Sequence, residues 1–462
     1  MRKISRVLAL VMCVILMAGL CACGSDTTGT TTAAEAGGTA AGETSAALDE
    51  KHDPVTLRFM WWGGDERAEA TLKAIEAFEA KYDWITIEPE YGSSDGYQEK
   101  LTTQLSSGNA ADIIQMGPGW LPGYVKSNDN YFIDFNDYAD RIDLTTFESS
   151  FLEQNGNIGG KQYGLPTGIS GYSFIYNKTL ADKAGILFPD SKEEMNWDTL
   201  IELGKQLQAY DSSAYLVDIG DSELAACIMR PYLLQLTGST MVVDATAELG
   251  FTEEELVQCL TYIKDLYDNK VIPPLADIAA YSSGDSLQTD PKWISGETYV
   301  GMFLSSSTAE VATAACPDCE FAAGYMPVMS SAKNDGFYAN CPQYMCVSKS
   351  SEHIEEAVMF LDYFYNSEEA AEILTTVRSV PPTSVGQSVC AKLGKLEGIA
   401  KDTVDILQAS YHGTNEMGMT TEEEYGQILR DMISQIAYGQ GTPEEVAKNG
   451  ITLMQNFLDS KN

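Results

Sequence analysis

Between residues 55 and 115 the apolar pattern changes period repeatedly, and that alternation restricts the fold more than any other feature. Val55 to Trp62 (VTLRFMWW) is dense in strand-forming residues and follows Pro54. Glu66 to Tyr82 then places Leu72, Ile75, Phe78 and Tyr82 on one helical face. Ile85 to Glu88 alternates apolar and polar, the pattern of a half-exposed strand. Tyr97, Leu101 and Leu105 recur at helical spacing and stop at Gly108, and Asp112 to Gln115 opens the next short strand. Strands separated by helices do not close as hairpins. They pair in parallel through right-handed crossovers, which makes the region an α/β domain.

A chain of 462 residues has room for two or three domains of the usual ~100–200 residues. Tyr172 to Tyr176 and Tyr299 to Leu304 read as further strands. Trp197, Leu200, Leu203 and Leu207 mark one helix; Leu256, Leu260, Ile263 and Tyr267 mark another. Ile354, Val358, Leu361 and Phe364 form one helical stripe, and Thr442-Pro443-Glu444-Glu445 is a capping box with Pro at the first helical position. No internal repeat is visible.

The N-terminus carries an address. Arg2, Lys3 and Arg6 precede an apolar run from Val7 to Gly19, too short for a comfortable membrane span and right for an export leader. Leu20-Cys21-Ala22-Cys23 resembles the bacterial lipobox, with Leu20 three before Cys23 and small Ala22 just before the cut; Cys21 stands where Ala, Ser or Thr is usual. The expectation is a leader over 1–22, acylation of Cys23, and a tether over 23–52 whose Thr, Gly, Ala and Ser cannot offset their ordering entropy. The folded part would then stand on the extracellular face of the cytoplasmic membrane.

With 67 acidic against 29 basic residues, the net charge of −38 excludes an ordinary nucleic-acid binder, which needs a basic face. Three scattered histidines do not build a metal site, and no cofactor is expected. Cys316-x-x-Cys319 and Cys341-x4-Cys346 leave three readings open: no special role, one or two disulfides, or a four-thiolate zinc site. No Gly-x-Ser-x-Gly elbow, His-Glu-x-x-His motif or P-loop is present, so no catalytic residue is assigned and a binder is expected rather than an enzyme. A secreted glycosidase stays as the alternative, because two suitably spaced carboxylates cannot be recognised among so many.

Several stretches in order resemble the extracellular solute-binding proteins of ABC importers, in the carbohydrate-binding group that includes maltose-binding protein. They are Trp61-Trp62-Gly-Gly-Asp65 with its helix, Tyr97 to Leu105 with Ser107 to Gln115, and Gly164-Leu-Pro166-Thr167-Gly168 running into Tyr176-Asn177-Lys178. Gly296 to Phe303 with Tyr325-Met-Pro327, and Ser348 to Phe364 with Arg378 to Pro382, complete the series. Ser379 departs from the Gly usual after the Arg378-like residue, and Ala111 from a Pro. The resemblance implies an α/β, two-lobed periplasmic-binding-protein-like (type II) fold with hinge strands between the lobes. It implies an N-lobe of about 53–163 and 303–345 and a C-lobe of about 166–300 and 349–460, crossed three times. The partners it implies are a carbohydrate, delivered chemically unchanged to ABC permease subunits, with the binding protein itself a monomer. A polyamine or a peptide remains the other possible solute.

Sugars present apolar C–H faces and a rim of hydroxyls, so a sugar cleft needs aromatic rings and planar polar groups. Trp61 and Trp62 end the first strand, where α/β sheets place ligands; consecutive strand residues face opposite sides, so one of the two is core, and the reading favours Trp62 for the cleft. Asp65 accepts hydroxyls or caps the helix, Arg67 donates, and Tyr97 either reaches the cleft or joins the stripe with Leu101. Trp120 follows Gly117-Pro118-Gly119 at the equivalent end of another strand. Thr167 and Tyr172 lie on the first hinge segment, Trp293 precedes Gly296-Glu297, and Ser305 and Ser306 follow the second hinge strand. Tyr338 and Arg378 match cleft-lining loops of the resembled family.

Overall fold

The computed structural model describes residues 52–243, 246–278, 290–416 and 418–461. The expected leader, Cys23 and the tether lie outside the described residues, except His52, which stacks on Trp84. No helix among the described residues is long and apolar enough to cross a membrane.

Two sheets organise the chain. Their strands are β1 (Val55–Trp62), β2 (Ile85–Gly92), β3 (Ile113–Met116), β4 (Leu165–Pro166), β5 (Tyr172–Asn177), β6 (Tyr215–Asp218), β7 (Tyr299–Ser305), β8 (Phe321–Gly324) and β9 (Tyr344–Val347). The first sheet has the order β2-β1-β3-β9-β4 and the second β8-β5-β7-β6. As the alternation of strand and helix requires, β2 and β3 both pair with β1 in parallel. The connecting helices are α1 (Asp65–Lys81) and α2 (Tyr97–Ser107). β9 closes the first sheet antiparallel to β3 and β4.

Each sheet is covered on both faces. Leu57, Phe59 and Trp61 bury against Phe78, Phe360 and Phe364 on one side of the first sheet; Met60, Leu101, Ile114 and Tyr344 fill the other. In the second lobe Leu200, Leu216, Leu260, Phe303 and Met432 form the larger core, and Ile175, Trp293, Tyr299 and Ala312 the smaller.

The lobe boundaries differ from those expected. β8 pairs antiparallel with β5, so the chain stays in the C-lobe well past residue 303 and crosses only between β8 and β9. The helix Ile354–Asn366 buries Val358, Leu361 and Phe364 in the N-lobe with Phe59 and Phe78, not in the C-lobe. The helices Glu368–Leu374 and Ser384–Lys392 pack beside it, and the chain returns to the C-lobe before Ile399–Ser410, which packs on β8. An amphipathic stripe states that a helix is buried; which sheet it covers is set by the partner surface.

The hinge is a braid of three segments. Ser170 and Asn340 exchange both backbone hydrogen bonds at 2.8 Å, Ile169 N donates to Val380 O at 2.7 Å, and Thr167 N donates to Gln343 O at 2.9 Å. Ser379 holds φ of 89°, a left-handed value that explains why Gly is usual there, and its hydroxyl donates to Ile169 O at 2.6 Å. A Cβ on Gly168 would collide with the carbonyl oxygen of Arg378 and stand 3.0 Å from Ser379 Cβ.

Two predictions follow from this packing. Gly168→Ala forces the braid apart and lowers stability in urea unfolding by about 1–3 kcal/mol. Asp218 ends β6 almost fully buried, with Oδ1 lacking a hydrogen-bond partner among the described residues; burial first, then Asp290, pushes its carboxyl up to about 7. The folded state therefore holds this proton more tightly than the unfolded chain, so the contribution of Asp218 to stability falls as pH rises from ~4 to about 7 and is flat above. Asp218→Asn removes that slope, and the gap in melting temperature between variant and parent widens over the same interval.

Candidate ligand-binding cleft

The carboxyl ends of β1 and β3 carry the N-lobe wall. Strand alternation divides the tryptophan pair: Trp61 is fully buried, 4.7 Å from Phe59 and stacked at 4.9 Å on Tyr91, so it belongs to the core and not to the cleft. Trp62 points the other way and is half-buried. It meets Tyr97 at 4.7 Å and Trp120 at 5.3 Å between ring centroids, and Tyr97 and Trp120 stack at 6.2 Å. Gly117 makes the cluster possible, since a Cβ there would stand 2.7 Å from the Trp120 indole.

Tyr97 serves this cluster from behind. It is buried, and its hydroxyl lies 2.8 Å from Gln115 O and 3.1 Å from Met60 O, tying the start of α2 to the ends of β1 and β3. Arg378 is likewise buried rather than lining an open surface: Nη1 donates to Gln115 Oε1 and Nη2 to Thr71 Oγ1 at 2.9 Å. Gln115 passes the interaction on, donating to Trp62 O at 2.9 Å. Arg67 is half-buried beside Gly63 and donates to Val377 O at 3.4 Å and Trp62 O at 3.5 Å; burial holds its guanidinium below the usual arginine range. Asp65 is exposed on the first turn of α1, whose N-cap is Gly64, so its carboxylate does not cap the helix.

The C-lobe wall contains residues that the sequence reading did not single out. A cavity of about 220 Å³ is lined by Tyr172, Arg230, Phe337, Tyr338, Asn340 and Glu416, among others. Thr421 also lines it, and a Cβ on Gly119 would stand 3.3 Å from Thr421 Oγ1, which places the Trp120 loop at its edge. Arg230 follows a π-helical turn, Ala225–Met229, in a helix over 221–237; such widened turns recur at functional sites. Its Nη1 pairs with Glu416 at 2.6 Å and Nη2 donates to Thr420 O at 2.7 Å, while the other Glu416 oxygen accepts Met241 N at 2.8 Å. Desolvation, with Glu416 alongside, pushes the Tyr338 phenol up to about 12, so it stays protonated at neutral pH. Arg230 did leave a trace: it is the single charge in the apolar run Leu224 to Leu236. Glu416 left none.

The remaining predicted positions separate into hinge and core. Tyr172 is 41% exposed at the start of β5 and pairs in register with Ser305. Ser305 and Ser306 lie 3.1 and 3.3 Å from the Ser170 hydroxyl, Ser306 fully buried and Ser305 half-buried. Thr167 is buried, its hydroxyl donating to Gln343 O at 3.1 Å, which makes it a hinge fastening. Trp293 is buried, donates from Nε1 to Ala312 O at 2.7 Å and stacks on Phe321 at 5.6 Å, so it belongs to the smaller C-lobe core. Removing Arg230 alone strands a buried carboxylate. Arg230→Met therefore costs about 3 kcal/mol in urea unfolding, and Arg230→Met with Glu416→Gln recovers part of that loss.

Comparison with known proteins agrees with this geometry. Residues 64–371 match the sequence profile of the bacterial extracellular solute-binding proteins. An arabinooligosaccharide-binding protein of Halalkalibacterium halodurans is 24% identical over 363 residues, covering 74% of each chain. A periplasmic oligogalacturonide binding protein from Yersinia enterocolitica superposes with a TM-score of 0.74 at 25% identity, over 87% of this chain and all of that one. A de novo designed cysteine esterase superposes at 0.81 with 26% identity, over 89% of this chain and all of the design. Two α/β lobes, a three-segment hinge and a match across most of the folded part lead to one assignment: the chain belongs to the bacterial extracellular solute-binding proteins.

Proposed function

We propose that the protein captures an oligosaccharide between its lobes and delivers it, uncleaved, to an ABC importer, held to the membrane by acylated Cys23. The observation that carries the reading is the meeting of Trp62 and Trp120 at the carboxyl ends of parallel strands, with a polar wall opposite. Half-buried indoles suit the apolar faces of sugar rings, at about 0.5–1.5 kcal/mol per aromatic contact beyond area. Arg230, Asn340 and Tyr172 suit the hydroxyl rim. Asp65, exposed and uncapped, adds an acceptor on the N-lobe side.

Closure follows from the hinge. Two lobes joined by a backbone braid rotate at little cost, and a sugar contacting both walls stabilises the closed arrangement in proportion to the contacts made only there. The importer would recognise that closed form. The named sugar ligands of the two binding-protein relatives support a saccharide over a polyamine or a peptide.

A thermal-shift screen across mono- and oligosaccharides identifies the ligand, since anything that binds the native state raises the melting temperature. Calorimetry with that sugar gives saturable heat and no cleavage product. Trp62→Ala and Trp120→Ala each weaken binding by about tenfold or more, ~1.4 kcal/mol. Unchanged affinity in both variants refutes the site, and a cleaved sugar refutes the carrier. An unmodified thiol at Cys23 in the membrane fraction refutes the anchor.

A further inference from the structure

The Cys316-x-x-Cys319 motif is not used by the ligand cleft. It lies in the C-lobe, in the turn between the helix Ala309–Ala314 and β8, and Cys319 N donates to Cys316 O at 3.1 Å. The two sulfurs converge on one point: a Cβ built on Gly296 would run into Cys319 Sγ and stand 2.9 Å from Cys316 Sγ. Gly296 belongs to the turn leading into β7, the strand that ends at the hinge serines. Asn177 gathers the same elements, its Nδ2 donating to Gly296 O at 3.0 Å and to Cys319 Sγ at 3.3 Å while its Oδ1 caps the next helix through Leu180 N. Cys341 and Cys346 sit in the N-lobe core, so the four thiols do not assemble, and no group of three or more metal-ligating side chains forms among the described residues.

We propose that Cys316 and Cys319 are a disulfide site, oxidised in the exported protein by exchange with the disulfide of a dithiol–disulfide oxidoreductase. Cys319, half-exposed, loses its proton and attacks one sulfur of the donor disulfide, releasing the donor's other sulfur as a thiolate. Buried Cys316, deprotonated in turn, attacks Cys319 Sγ and displaces the donor's first sulfur. One sulfur–sulfur bond forms in the protein and one breaks in the donor, which takes up two electrons and two protons. Burial and the neighbouring thiol push Cys316 up to about 12, so the reduced pair gains no thiolate stabilisation. The bond closes the turn that leads into the edge strand β8, a turn that rests against Gly296 ahead of the hinge strand β7.

The test uses the full chain equilibrated with mixed oxidised and reduced glutathione at the poise of an exporting compartment, then alkylated and mapped by mass spectrometry without reduction. A Cys316–Cys319 peptide two hydrogens lighter, with the other thiols alkylated, is the expected result. Both Cys316 and Cys319 recovered alkylated overturns the proposal. Strong reductant also lowers the melting temperature of the parent by a few degrees, as a short closed loop allows, and leaves Cys316→Ser/Cys319→Ser unmoved. An equal shift in both refutes a stabilising bond. Neither readout depends on which ligand fills the cleft.

Discussion

The N-lobe is arranged around a guanidinium buried without a carboxylate. Burying a charge is expensive unless its hydrogen bonds are met, and Arg378 meets two of its own with neutral groups, the Gln115 amide and the Thr71 hydroxyl, and lies over the face of Phe364 at 5.7 Å, while its Nε has no partner among the described residues. Burial, then the nearby Arg67, pushes it down to about 9. The cost secures a junction, because those partners come from β3, from α1 and from the helix that crosses the first sheet. Gln115 relays the constraint to the Trp62 carbonyl, so the end of β1 is held in place by a buried cation one residue removed from it.

The C-lobe answers with a different device. Arg230 and Glu416 neutralise each other at the cavity wall, and every oxygen of that carboxylate is occupied. The pair fixes the π-helical turn against the segment around residue 416 and presents a preorganised polar surface. Between the lobes the braid is tied by backbone hydrogen bonds, with Ile169 and Val380 packed into the N-lobe core and Gly168 and Ser379 held against each other where no larger group fits.

Much of the fold was legible. The strand and helix periods from Val55 to Gln115 led to parallel pairing around β1, and the capping box at Thr442 forms, with Glu445 N donating to Thr442 Oγ1 at 3.3 Å. The placement of the candidate site residues was legible in part. Alternation separated Trp62 from Trp61, and Gly117 foreshadowed the close seat of Trp120. Tyr97 took the second of its two readings, buried with Leu101, while Trp293 and Thr167 lie in core and hinge, because an aromatic ring or a hydroxyl near a hinge has the same composition whether it faces ligand or core. Arg230 hinted at itself as a lone charge in an apolar run, whereas Glu416 lay in an unpatterned loop some 186 positions away.

Local rules act through near neighbours along the chain, and the sequence by itself determined what they govern: the periods of the elements, the parallel pairing around β1 and the family. Tertiary structure alone decided which sheet the stripe at Val358 covers, where the chain crosses, that Arg378 lies behind the cleft rather than in it, and that Cys316 and Cys319 meet at Gly296. Each of those depends on surfaces far apart in sequence becoming complementary, and no local period encodes the identity of the partner.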